Sequence, residues 1–283
     1  MCRILYAMCT AFILMLPHET QAKTLTFGVV PQQSAKKMAK SWQPLFEYIE
    51  NYTGFRIDFQ TAKDIPTFEA NLANGEYDIA YMNPFHFVVF NSSVGYQALA
   101  KQKDKRLQGI IVVHKDSGIQ SLSELNGAEL VFPAPAAFAA FAAFAAFAAF
   151  AASIVTSAKL RNEDIAFVPR YVNSHDSVYL NVEKQFFIAG GGIYRTLQSS
   201  PAQQSLRVLW ESPLYTPHAI ATHPRLSEDD RKSIINALIS ISSDASSVDI
   251  LKNLGMNGFV EADDSHWDDV RELGISSLSR PHS

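Results

Sequence analysis

The sequence has almost no cysteine. Both cysteines, Cys2 and Cys9, fall within the first nine residues, so the body of the chain can form no disulfide, thiolate metal site or cysteine nucleophile. An excess of charge is also missing. Twenty-four basic and 28 acidic side chains leave a formal net charge of −4, which excludes the broad basic field of a nucleic-acid-binding surface. The motifs of common chemistries are absent as well. There is no HExxH, no GxSxG and no glycine-rich phosphate loop. His86, His114 and His223 show no metal-ligand spacing with one another. The expectation is a protein that is not an enzyme and needs no cofactor or metal. Any site for an anion must then be local, built from backbone amides and a few side chains.

What is present begins with an export signal over residues 1–22. Arg3 supplies a positive start, Ile4 to Leu16 is apolar, and Thr20-Gln21-Ala22 is a small-x-small cleavage site. The apolar run is shorter than the roughly 20 residues of a membrane span. Cleavage after Ala22 would leave a cysteine-free, monomeric protein in a bacterial periplasm. At 47% apolar and 18% charged, the 283-residue chain has globular composition, with length for two units of roughly 100–150 residues each.

Strand-like and helix-like stretches alternate along the chain. Thr24 to Val30 alternates as a strand, and Ser34 can cap a helix from Ala35 to about Tyr52 that carries Trp42, Leu45, Phe46 and Ile49 on one face. Strands at Phe55–Thr61, Tyr77–Tyr81, Tyr96–Lys101 and Leu107–His114 follow, with a helix at Ile65–Leu72. A second unit starts near Asp116. It has strands at Glu129–Phe132 and Ile165–Tyr171, and a third at Phe186–Ala189 that ends in Gly190-Gly191-Gly192. The last stretch after Thr222 reads as a surface-packed cap of helices. This alternation predicts an α/β fold in which ligands sit at the carboxyl ends of strands. Three polar strand-to-helix turns stand out: Pro31-Gln32-Gln33-Ser34, Tyr81-Met82-Asn83-Pro84 and Phe132-Pro133-Ala134-Pro135.

These segments resemble the periplasmic solute-binding proteins of phosphate, phosphite and phosphonate ABC importers. The similarity runs through TLTFGVVPQ, YDIAYMNPF, HKDSGIQSLSELNGAELVFPAPAAF, SHDSVYLNV and YTPHAIATHP, and covers nearly the whole chain after the export signal. The resemblance implies a type 2 periplasmic binding protein fold: two lobes, each a mixed sheet flanked by helices, joined by a two-stranded hinge. Residues 23–115 plus 216–283 would form one lobe and residues 116–215 the other. The implied function is capture of a small oxyanion in the interlobe cleft. The loaded protein would be presented to ABC permease subunits or, alternatively, to a sensor kinase or other membrane receptor. Relatives that bind phosphonate place Ser and Thr where Ala136 and Ala137 stand, so only backbone amides remain there. They also tend to carry an acidic residue for an amine near the Gly190–Gly192 run, which disfavours an aminophosphonate.

Eight positions are candidates for ligand contact. Gln32 sits in the first turn. Tyr81 and Asn83 offer a phenol and a carboxamide beside Pro84. Ala136 and Ala137 could donate helix N–H groups. His175 opens a helix after Ser174, with a cap at Ser174 as the plainer role of this turn. Tyr215 and His218 flank Thr216-Pro217, where the chain crosses between lobes.

One segment fits no fold. Ala-Ala-Phe occurs five times in succession from Ala136 to Phe150. A three-residue period turns 300° on a helix, so successive phenylalanines step back about 60° and no single face buries them all. The expectation is an insertion at about 139–150, carried as an overlong or bulged helix or, alternatively, as a protruding apolar rod that meets a partner or lipid.

Overall fold

The computed structural model describes residues 22–31, 35–133, 150–172 and 174–274. Residues 1–21 of the expected export signal, Gln32, Ala136 and Ala137, and the repeat before Phe150 lie outside the described residues. Two mixed sheets organise the chain. The first contains β1 (Thr24–Val29), β2 (Arg56–Gln60), β3 (Ile79–Met82), β4 (Gln97–Gln102), β10 (Ala219–Thr222) and β11 (Phe259–Glu261), in the order β11-β4-β10-β3-β1-β2. The second contains β5 (Gly109–His114), β6 (Ala128–Phe132), β7 (Phe167–Tyr171), β8 (Ala189–Ile193) and β9 (Leu206–Glu211), in the order β7-β6-β8-β5-β9. In each, three strands run parallel and antiparallel strands complete one side.

Local sequence explains the helices that flank the sheets. Helix α1 (Ala35–Thr53) buries Met38, Trp42, Leu45, Phe46 and Ile49, an apolar stripe at helical spacing. Asp64 caps α2 (Ile65–Ala73) by accepting from the Thr67 N–H. Asn83 does the same for α3 (Pro84–Ser93), with Pro84 at the first helical position, where a missing N–H costs nothing. A π-helical turn at Phe150–Val155 leads into α4 (Thr156–Asn162). Ser174 caps α5 (His175–Glu183), and α6 (Tyr194–Gln198) follows β8. Ser227 and Asp230 form a capping box on α7 (Glu228–Ser240). Helices α8 (Val248–Leu254) and α9 (Asp268–Arg271) close the chain.

Three expectations need correction. A boundary after residue 115 assigns β5 to the first unit, but β5 pairs with β8 and β9 inside the second sheet. A strand run read alone does not reveal its partners. Gly190–Gly192 do not follow a strand; they form the middle of β8. The strand needs them because helices press on both its faces. A Cβ on Gly190 would lie 2.6 Å from Val178 of α5, and one on Gly191 would collide with the Ala152 carbonyl and lie 2.7 Å from Phe132. Finally, the last stretch is no surface cap. β11 extends the first sheet beside β4, and Trp267 is fully buried with its ring 4.5 Å from Phe87.

The chain passes between the sheets twice, at 103–108 and 212–218. The two passages are tied by reciprocal hydrogen bonds between Leu107 and Tyr215, at 2.9 and 2.8 Å.

Candidate functional site

The carboxyl end of β3 gathers the clearest cluster of candidate residues. Tyr81 pairs with Ile220 and Met82 with Ala219, so the antiparallel register brings His218 beside Asn83 as the chain enters β10. The His218 ring stacks on Tyr81 at 5.3 Å and 22°. Trp42 of α1 packs on Tyr81 from another side, with centroids 4.8 Å apart. Asn83 Oδ1 accepts the His86 backbone N–H at 2.8 Å, which fixes the amide and leaves Nδ2 as its donor end.

Burial sets the protonation of this cluster. It pushes the Tyr81 phenol well above its ordinary value, so the group stays a neutral O–H. It pushes the His218 imidazole down to about 3, aided by repulsion from His86 and Lys105. His218 is therefore a neutral ring at physiological pH, with one N–H to donate. Phenol, imidazole and carboxamide together form a set of uncharged donors with an aromatic wall. Such a set can replace part of an oxyanion's hydration shell without a full countercharge.

The remaining described candidates lie elsewhere. Tyr215 sits on the second passage between the sheets, its ring edge-on to Phe150 at 6.2 Å and 88°. Burial, then the carboxylates of Asp269 and Glu272, push its phenol up. Phe150 is 1% exposed and belongs to the same apolar cluster as Trp42, Tyr81 and Tyr215. The last phenylalanine of the repeat thus packs with the first sheet's core. His175 stands at the start of α5 on the second sheet, buried, its ring 6.5 Å from Tyr179. Ser174 does perform the capping role: its Oγ accepts the Ser177 N–H at 3.1 Å.

Three residues near the cluster are not among the eight candidates for ligand contact. Spacing places Trp42 in a helix stripe, and its ring packs on Tyr81. Glu69 and His86 form a buried pair, Nε2 to Oε1, at 2.7 Å. They lie on different helices, and no spacing announces them. The one local signal is a histidine in the first turn after Asn83-Pro84, where every residue from Pro84 to Val88 is buried.

A cavity of about 430 Å³ lies apart from this cluster, between β4, α7 and the chain after β11. Several of its polar groups are occupied internally. Asp264 accepts from the Ala98 N–H at 2.7 Å and from Asn91 Nδ2 at 2.9 Å, and Asp263 caps the turn at Asp264–Trp267. Among the described residues there is no group of three His, Cys, Asp or Glu side chains that could hold a metal ion. No described helix is long and apolar enough to cross a membrane.

Comparison with known proteins gives a consistent picture. Residues 27–267 match the family model described as ABC transporter, phosphonate, periplasmic substrate-binding protein. The phosphonates-binding periplasmic protein of Escherichia coli K12 is 23% identical over 267 residues, spanning 91% of this chain and 78% of that protein. The phosphate-import protein PhnD of Mycolicibacterium smegmatis is 22% identical over 277 residues, spanning 92% and 84%. Among solved structures, PhnD1 of Prochlorococcus marinus in complex with methylphosphonate superposes with a TM-score of 0.69. That match has 14% identity and covers 91% of this chain and 99% of the other.

Proposed function

The chain belongs to the family of periplasmic substrate-binding proteins of phosphonate ABC transporters, and from this premise we propose that it captures a small phosphorus oxyanion. Methylphosphonate, phosphite or inorganic phosphate is the class, held in a cleft between the two sheets. The observation that carries the reading is the Tyr81–His218 stack with Asn83 beside it, at the carboxyl end of β3. Ligands of such sheets bind at strand ends, and these three side chains offer neutral donors there. Tyr215 and His175 are proposed contacts from the hinge passage and from the start of α5. Gln32 and the backbone amides of Ala136 and Ala137 complete the proposed set.

The family membership favours import over sensing. The proposed partners are the permease subunits of an inner-membrane ABC importer, with delivery to the periplasm by the residue 1–22 signal. Binding without turnover is the expected chemistry, because nothing in the donor set supplies an activated nucleophile. The Gly190–Gly192 backbone lies within β8 between two packed helices, and it offers no carboxylate for a ligand amine. An alkyl or unsubstituted oxyanion is therefore preferred to an aminophosphonate.

The test is a thermal-shift and calorimetry panel on the mature chain. It would include methylphosphonate, 2-aminoethylphosphonate, phosphite, phosphate, sulfate and an alkylsulfonate. A ligand at 100 times its Kd stabilises by about 2.7 kcal/mol. Because the donors are neutral, binding should weaken little between low and moderate salt. No stabilisation by any phosphorus oxyanion would overturn the reading.

A further inference from the structure

Behind the Tyr81–His218 stack lies an acid–base pair for which ligand capture alone gives no reason. Glu69 on α2 is 8% exposed and His86 on α3 is 2% exposed. His86 Nε2 stands 2.7 Å from Glu69 Oε1. The imidazole is packed among Phe68, Phe85 and Phe90. Glu69 Oε2 and His86 Nδ1 have no hydrogen-bond partner among the described residues. Burial accordingly pushes the Glu69 carboxyl up, and the His86 contact opposes that shift. Apolar side chains of similar volume would fill this space with a smaller desolvation penalty. Its polarity calls for another explanation.

The geometry of Asn83 supplies one. His86 Nε2 is also 3.5 Å from Asn83 Nδ2. Asn83 Oδ1 is committed to the His86 backbone N–H, so the amide presents N–H donors toward Nε2. A ring nitrogen has a single in-plane position, occupied by either a proton or a lone pair. Here that position is spent on Glu69. If the shared proton rides on Nε2, the nitrogen has no lone pair to offer. If it rides on the carboxyl, the lone pair already accepts from Glu69. In both cases Asn83 finds no acceptor there.

We propose that Glu69 is a positioning residue for ligand capture: by engaging His86 Nε2, it keeps the Asn83 carboxamide donor available to a ligand oxygen. This rests on the oxyanion reading above. Without Glu69, the imidazole can carry its proton on Nδ1 and turn the Nε2 lone pair toward Asn83. The amide N–H on the His86 side then has an internal acceptor, which draws the carboxamide toward the ring and its second N–H away from the ligand.

The experiment compares native protein, Glu69→Met and Glu69→Gln. Calorimetry with methylphosphonate and inorganic phosphate gives Kd, and ¹⁵N-edited NMR of the imidazole and side-chain amide signals reads the tautomer. Glu69→Met should move the His86 ring to the Nδ1–H form, shift the Asn83 amide protons, and raise Kd at least tenfold while the protein remains folded. Glu69→Gln keeps an acceptor for Nε2–H and should bind within about threefold of native. No binding by native protein would overturn the oxyanion reading and this inference with it. Native binding with unchanged Kd or unchanged Asn83 signals in Glu69→Met would overturn this inference alone. Should Glu69→Met not fold, the isosteric Glu69→Gln still decides, because a tenfold loss there would show that charge rather than hydrogen-bond assignment matters.

Discussion

His218 is a residue whose chemistry burial changes strongly. Its imidazole titrates near 3 in the folded chain, against 6.5 for an ordinary histidine. The folded form therefore holds fewer protons than the unfolded form between those values. Stability is fully present above pH 6.5 and is lost as pH falls toward 3, by about 1.4 kcal/mol per pH unit for one such group. Chemical denaturation at pH 7, 5.5 and 4 should show that decline in native protein and a shallower one in His218→Asn. Equal slopes would mean that the ring is not held neutral. The sequence singled out Tyr81, Asn83 and His218, because a strand end followed by Asn-Pro and a Thr-Pro-His passage are local patterns. It did not single out Glu69 and His86. Their meeting depends on how α2 packs against α3, and the chemistry of the pair exists only once both are buried.

At the scale of elements, the helices were legible and the strand partners were not. Caps at Asp64, Asn83, Ser174 and Ser227 are local events between residues three apart. The place of β5 is set by neighbours about 80 and 100 residues away. The glycines of β8 illustrate the same limit. A run of three reads locally as a turn, yet here each missing Cβ makes room for a neighbour. Gly191 admits the Ala152 carbonyl and Phe132, and Gly192 admits the Tyr179 hydroxyl. The π-helical turn at Phe150–Val155 crosses β8 and β5 at this point, for Gly109 of β5 likewise faces the Ala151 carbonyl. Backbone cannot yield as a flexible side chain can. Gly191→Ala should therefore destabilise the chain by about 1–3 kcal/mol or more. A melting curve for this variant that overlays native would contradict the close approach.

At the scale of the whole molecule, we propose two lobes that divide at the passages 103–108 and 212–218 and close on the ligand by bending there. The second passage shows where bending can occur. Ser212 is held by the second sheet: its N–H donates to the Gly109 carbonyl at 2.8 Å, and its Oγ accepts the Gly109 N–H at 2.9 Å. Thr216 and Pro217 are held by the last described helical turns, at 264–271. The Thr216 N–H donates to Asp269 Oδ2 at 2.7 Å, Thr216 Oγ1 donates to the His266 carbonyl at 2.7 Å, and Trp267 Nε1 donates to the Pro217 carbonyl at 2.8 Å. Only 213–215 lie between these two anchors, with Leu214 largely exposed. The C-terminal turns thus act as a clamp that assigns Thr216 to the first lobe. Removing the clamp's carboxylate leaves the buried Thr216 amide without its acceptor, at about 1–3 kcal/mol. Local opening should become roughly 10 to 100 times more frequent. Hydrogen exchange read residue by residue should show the Thr216 amide equally protected with and without bound oxyanion in native protein. In Asp269→Ala the same amide should exchange at least tenfold faster, while the amides of β5 keep their native rates. Ligand-dependent protection of Thr216 in native protein would move the bend into the clamp and sink this assignment of the pivot.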